Sequence, residues 1–151
     1  MTASDDREPA ADDREPVAED RTPTRDDRES AYELLQRGQD LLTQRHFAAA
    51  AVVLERADRA EPGKASILEA LGRAYYNSGQ RDRARETFTA LLDIDPSAHY
   101  AHFALGQSLK QLGRVAEART HLRLAVALSP TSKIYAAALA RLPSARPPED
   151  D

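Results

Sequence analysis

The chain has 151 residues, no cysteine, and 25 acidic against 21 basic side chains, for a formal charge of −4. The lack of thiols excludes a disulfide frame, a thiolate metal site and a thiol nucleophile. The modest charge and its sign argue against nucleic acid as the partner, which calls for a larger positive excess and a stacking platform on the same face.

Residues 1–30 are acidic and poor in apolar side chains. Asp-Asp-Arg-Glu-Pro occupies 5–9 and 12–16, Glu-Asp-Arg-Thr-Pro fills 19–23, and Asp-Asp-Arg-Glu-Ser fills 26–30. The period of seven has no apolar seam, and Pro9, Pro16 and Pro23 break any helix, so it is not a coiled coil. Such a segment buries too little surface to offset chain ordering, which predicts a disordered acidic tail. It holds 11 acids and 5 arginines. Residues 143–151 are expected to form a second, short acidic tail. The start lacks the apolar run of a signal peptide. The longest apolar run, Phe47 to Leu54, has 8 residues, against roughly 20 for a membrane span. A cytoplasmic location is therefore expected. The bias of 18 arginines over 3 lysines suggests a GC-rich bacterial genome.

From residue 31 the pattern becomes helical. Leu34, Gly38 and Leu41 recur at three- and four-residue steps, the spacing of one helix face. After a break at Arg45-His46 a second stripe follows: Phe47, Ala50, Leu54, Ala57. The same pair of helices returns with Leu68, Leu71, Gly72 and Tyr75, a break at Gly79-Gln80, then Ala84, Phe88 and Leu91. It returns again with Leu105, Gly106 and Leu109, a break at Gly113-Arg114, then Val115, Ala118, Leu122 and Ala125. Gly38, Gly72 and Gly106 are 34 residues apart, and Ala50, Ala84, Ala118 and Pro62, Pro96, Pro130 keep that interval. One period shared by three residue types marks a stacked helical repeat, with units at 31–64, 65–98 and 99–132. Each proline ends a second helix. Each mid-helix glycine, costing about 1 kcal/mol relative to alanine, implies close approach of the paired helix, with Ala50, Ala84 and Ala118 expected to face it. Gly79 and Gly113 suit the left-handed residue that closes a helix; Arg45 is a less comfortable substitute. Ser30 with Glu33 fits a capping box, Ser66 with Glu69 a weaker one, while Ser97 and Thr131 or Ser132 stand where the next helices need caps. Residues 133–142 predict a lone capping helix, mostly alanine, stopped by Pro143.

The period, the small residues and the closing prolines resemble tetratricopeptide repeats. The best stretch is Leu71-Gly72-Arg73-Ala74-Tyr75-Tyr76-Asn77-Ser78-Gly79, followed by Ala84, Phe88 and Asp95-Pro96. The resemblance covers 31–132 and implies an all-α, right-handed α-solenoid of three helix-turn-helix units plus the capping helix. It departs from the family at Leu34, Leu68 and His102, where a large aromatic is common, and at Arg81 and Val115, where Phe47 alone keeps the usual ring.

The resemblance also implies that the first helices line a concave wall and bind another protein or peptide there. The wall positions are Tyr32, Leu35, Gln39 and Leu42; Ser66, Glu69, Arg73, Tyr76 and Asn77; and Tyr100, Phe103, Gln107 and Lys110, with Arg141 at the rim. Tyr32, Leu35, Gln39, Glu69, Arg73, Tyr76, Asn77, Tyr100, Phe103, Gln107 and Lys110 are the candidate peptide-binding residues. Four of the eight aromatics fall on this wall, and aromatics are enriched at binding hot spots. Some family members clamp a C-terminal carboxylate with lysine, asparagine and arginine. The matching places here are Leu35, Gln39, Ala70, Tyr100 and Ala104, of which only Gln39 is similar, so that mode is not expected.

His99 and His102 could share a metal by spacing, but no carboxylate or cysteine accompanies them and His102 falls where the unit packs. His46 and His121 have no evident partner. There is no phosphate loop and no nucleophile elbow. The expectation is a non-enzymatic interaction module without cofactor or metal, an adaptor or assembly factor and a monomer. The alternative is a subunit that self-associates through its capping helix or N-terminal edge.

Overall fold

The structure, a computed structural model, describes residues 29–144, so the expected tails lie outside it except for Glu29, Ser30, Pro143 and Ser144. The described residues form seven α-helices and no strand: α1 (Ala31–Thr43), α2 (Phe47–Ala60), α3 (Ala65–Asn77), α4 (Arg81–Ile94), α5 (His99–Gln111), α6 (Val115–Leu128) and α7 (Lys133–Ala140). First helices begin at 31, 65 and 99 and second helices at 47, 81 and 115, each series in steps of 34. Each second helix stops two residues before Pro62, Pro96 or Pro130, as the loss of α conformation ahead of proline requires.

The turns inside the units are built alike. Arg45, Gly79 and Gly113 adopt φ of 65°, 85° and 80°. The amides after them, on His46, Gln80 and Arg114, donate to the carbonyls of Leu41, Tyr75 and Leu109 at 2.8, 2.8 and 2.9 Å. This closure satisfies carbonyls that the helix leaves open. Arg45 holds the left-handed conformation with a Cβ, at a cost of about 1–2 kcal/mol that its glycine counterparts avoid.

Two caps act as the sequence suggests: Ser30 accepts from the Glu33 amide at 3.1 Å, and Ser132 accepts from the Tyr135 amide at 3.2 Å. Two do not. Helix α3 starts at Ala65, so Ser66 lies inside it and the capping position falls to Lys64, whose side chain makes no cap bond. Ahead of α5 the capping residue is Ala98, because Ser97 is engaged by Asp95, whose carboxylate accepts both its amide and its hydroxyl.

The hairpins α1–α2, α3–α4 and α5–α6 pack internally, each second helix also packs on the following first helix, and α1–α3 and α3–α5 touch directly. Contact between successive first helices places them on the inner side of the curve. The glycines fix the closeness of each hairpin. A Cβ on Gly72 would lie 2.5 Å from the Phe88 ring, and one on Gly106 would lie 2.7 Å from Leu122; Gly38 faces Leu54 in the same way. Of the expected facing residues, Ala118 does face Gly106, its carbonyl oxygen 3.2 Å from such a Cβ, while Ala50 and Ala84 are corrected. They are buried, but the bulky side chain four residues later fills the space above each glycine. Phe88, Leu54 and Leu122 are among the largest fully buried side chains.

The N-terminal edge is closed by the end of the segment read as tail. Arg37 and Arg56 stand at the first unit's counterparts of Leu71 or Leu105 and of Ala90. Leu71, Leu105 and Ala90 border clefts to the preceding unit; no described unit precedes the first. Glu29 bridges both arginines, at 3.0 Å to Arg37 and 3.3 Å to Arg56. Glu29 and Ser30 are thus tied to the first hairpin by these ion pairs and by the Ser30 cap.

Replacing Gly72 by alanine should destabilise the chain by about 1–3 kcal/mol through overpacking against Phe88, although alanine is the better helix former by about 1 kcal/mol. Urea unfolding followed by circular dichroism measures the sign. A neutral or stabilising result would mean that the glycine does not set the hairpin spacing.

Candidate functional site

The inner wall carries one row of side chains from each first helix. Gln39, Arg73 and Gln107 are repeat equivalents, as are Leu42, Tyr76 and Lys110. On α3, Arg73 donates to Glu69 at 3.1 Å across one helical turn, and its guanidinium carbon lies 3.9 Å from the centroid of the Tyr100 ring on α5. An arginine over a tyrosine face is held by the ring quadrupole, so this contact joins α3 to α5 and fixes both side chains. The Asn77 side-chain amide donates to the Arg73 carbonyl at 2.8 Å, capping the end of α3 while staying exposed.

From Tyr100 a chain of rings runs along the wall. Phe88 lies behind it at 5.7 Å, Phe103 beside it at 5.9 Å in edge contact, and Phe103 stacks on Tyr135 of α7 at 4.9 Å. The Tyr135 hydroxyl meets His99 Nδ1 at 2.8 Å. Burial pushes the hydroxyls of Tyr76 and Tyr135 up from their ordinary pKa, with the neighbouring Tyr100 adding to both and Arg73 opposing at Tyr135. These phenols stay neutral and serve as donors and acceptors at any physiological pH.

The wall positions divide by burial. Tyr32, Gln39, Asn77 and Lys110 are exposed, and Glu69, Arg73, Tyr76, Tyr100, Phe103 and Gln107 are half-buried. Leu35 is a correction: it is 8% exposed and part of the core, because α1 packs against α3 at that level. Between α1 and α3 lies a depression of about 330 Å³ lined by Gln39, Leu42, Ser66, Glu69 and Arg73. The Gln107 amide oxygen is buried and receives no hydrogen bond from the described residues. Tyr135 was missed by sequence reasoning. Its register was available, since it stands at the counterpart of Ala101 and Ile67, but a short alanine-rich helix gave no sign that one ring would reach across α5.

The histidines engage in a way their spacing does not show. His99 turns to Tyr135 and His102 does not join it. His102 is buried where Leu34 and Leu68 pack in the other units. Its Nε2 lies 2.9 Å from the Pro96 carbonyl and its Nδ1 lies 3.1 Å from Nδ1 of His121, so His121 does have a partner. A carbonyl only accepts, so His102 carries its proton on Nε2, its Nδ1 is the acceptor, and His121 donates from Nδ1. The ring centroids are 5.4 Å apart, exceeding the nitrogen separation by about one ring width. The two nitrogens therefore point straight at each other, which suits a shared proton and leaves no room for an ion between them.

The tetratricopeptide repeat profile matches residues 35–79 and again 69–133. The chain belongs to the tetratricopeptide repeat family. No curated protein sequence matches it. Among solved structures it is similar to the Arabidopsis OM64 TPR domain, with 20% identity, a TM-score of 0.70 and coverage of 74% of this chain and 92% of that one. It is also similar to the first TPR of Spaghetti (RPAP3) bound to the HSP90 peptide SRMEEVD, with 17% identity, a TM-score of 0.68 and coverage of 74% and 89%. A third is the Yersinia enterocolitica type III secretion chaperone SycD in complex with a peptide of the translocator YopD, with 19% identity, a TM-score of 0.64 and coverage of 72% and 88%. At these identities the likeness shows the all-α repeat fold. The family supports a protein-interaction module rather than an enzyme, and no described helix is long and apolar enough to cross a membrane.

Burial, then the neighbouring His102, hold the His121 pKa below its ordinary 6.5, with Glu117 opposing. The unfolded chain therefore binds this proton more readily, so the stability is present above about pH 6.5 and is lost as pH falls toward the folded value. Melting temperature should fall between about pH 7 and pH 5, and His121→Gln should flatten that part of the profile. Parallel profiles for the two proteins would refute the assignment.

Proposed function

We propose that this chain is an adaptor or assembly factor that holds a peptide segment of another protein on the concave wall formed by α1, α3, α5 and α7. The observation that carries this reading is the linked run Glu69–Arg73–Tyr100–Phe103–Tyr135. It joins three helices into a rigid strip, half-exposed from Glu69 to Phe103 and anchored on the buried Tyr135, and rigidity of this kind lowers the entropy lost on binding. Tyrosines supply apolar area with a polar tip. Gln39, Gln107 and Asn77 supply amides.

Two of the similar structures hold bound peptides, which supports a peptide ligand as a class. Specific capture of a chaperone tail by a carboxylate clamp is disfavoured, since Ala70 and Ala104 are buried alanines and Leu35 is in the core. A mixed-polarity segment with some acidic residues suits the wall better.

Peptides selected from a random library on the full chain provide the test. Tyr76→Ala combined with Lys110→Ala should weaken the selected peptides at least about tenfold, roughly 1.4 kcal/mol, while helicity is unchanged. Undiminished binding would remove the concave wall as the site. Self-association is the second reading, favoured by Tyr32 and Val52, 67% and 59% exposed on the first unit. Light scattering that rises to a dimer with concentration would select it, and a constant monomer mass would discard it.

A further inference from the structure

Charge is distributed unevenly along the solenoid. Residues 31–98 hold 10 acids and 9 bases, whereas residues 99–144 hold 6 bases and a single acid, Glu117. That acid is spent: Arg114 binds both its oxygens, at 2.7 and 2.8 Å. Lys110 and Arg141 are exposed and have no ion pair among the described residues. Arg119 donates to the Pro143 carbonyl, a neutral group that leaves its charge uncompensated. Lys110 ends α5, Arg119 lies in the early turns of α6, and Arg141 follows α7. In antiparallel hairpins these places share one rim, and the bond from Arg119 to Pro143 confirms that the start of α6 and the end of α7 meet there.

The opposite charge is in the same chain: three acids at 149–151, eight residues past Arg141, and a larger reserve before the first helix. Residues 1–28 carry 10 acids and 5 arginines, with Asp-Asp-Arg-Glu at 5–8 and again at 12–15. This segment enters the fold at a fixed point, because Glu29 is held by Arg37 and Arg56. From that anchor, at the start of α1, the rim lies two to three first-helix steps across, at about 10 Å a step, and one helix length, about 20 Å, along the axis, roughly 30–35 Å in all. At flexible-coil dimensions, 28 residues have an r.m.s. span of roughly 30 Å. The effective concentration of a tethered ligand is greatest when its span matches the distance.

We propose that the rim formed by Lys110, Arg119 and Arg141 is the docking surface for the chain's own acidic segment, residues 1–28. The inference is independent of the peptide-binding reading, because it rests on charge, tether length and anchor alone.

The chain has no cysteine, so Ala10→Cys gives a unique attachment point for a spin label on the full-length protein. At low salt the label should at least halve the amide signals around Lys110, Arg119 and Arg141 and spare those of α2. At about 1 M salt, where the screening length is about 3 Å, those signals should recover. They should also recover in K110E/R119E/R141E, provided its circular dichroism is unchanged. Uniform broadening, no broadening, or broadening indifferent to salt would each overturn the proposal. So would transfer of the effect to unlabelled molecules in a mixed sample, since the occupant would then be a second copy.

Discussion

The contact of each mid-helix glycine with the bulky side chain of its paired helix is the constraint on which the rest depends. With no Cβ at Gly38, Gly72 or Gly106, the two helices of a unit close until Leu54, Phe88 or Leu122 fills the gap. Close packing of this kind tolerates little change in volume. Because the spacing is the same in three units, successive hairpins present the same surface to one another and stack in register. Stacking brings α1, α3 and α5 side by side, and their remaining face becomes the inner wall.

Once the hairpins are fixed, a wall position is free to vary only where it avoids the packing. Repeat equivalents show this freedom directly. Gln39, Arg73 and Gln107 occupy one row, but only Arg73 meets a carboxylate and a ring together, because Glu69 and Tyr100 flank it. The row is periodic in backbone and aperiodic in chemistry. The same is seen on the other side of α3. Tyr75 stands where Leu41 and Leu109 stand in the flanking units, and its hydroxyl donates to Glu55 at 2.5 Å, with burial first and that carboxylate next pushing its pKa up to about 12.

The period makes the solenoid legible in the sequence. Helix starts at 31, 47, 65, 81, 99 and 115 follow from where glycines, alanines and prolines recur. What could not be read were contacts that depend on a residue breaking the repeat. His102 takes a leucine place and so needs a polar partner, but nothing in the spacing of His121, 19 residues later, identifies it as that partner. Glu29 reads as one more acid in a charged run until Arg37 and Arg56 are brought together by the first hairpin. Ser66 and Ser97 fit capping patterns by type alone. One was displaced by a helix that starts a residue earlier, and the other by a stronger local acceptor in Asp95. Leu35 was read from wall geometry without the packing of α1 on α3 that buries it.

The edges of a solenoid follow a different rule from its interior. An interior unit buries its flank on a neighbour, and an edge unit must satisfy that flank alone. At the N-terminal edge a leucine place becomes Arg37, and an acid from the preceding segment bridges it to Arg56. At the other edge Tyr135 extends the ring chain by one member and Arg119 reaches the Pro143 carbonyl, so α7 is fastened without a second helix of its own. The first edge is closed by an ion cluster and the last by rings and one charge-assisted bond, and the exposed Lys110 and Arg141 make no ion pair among the described residues. The asymmetry of the two closures, rather than the repeat itself, gives this solenoid a direction.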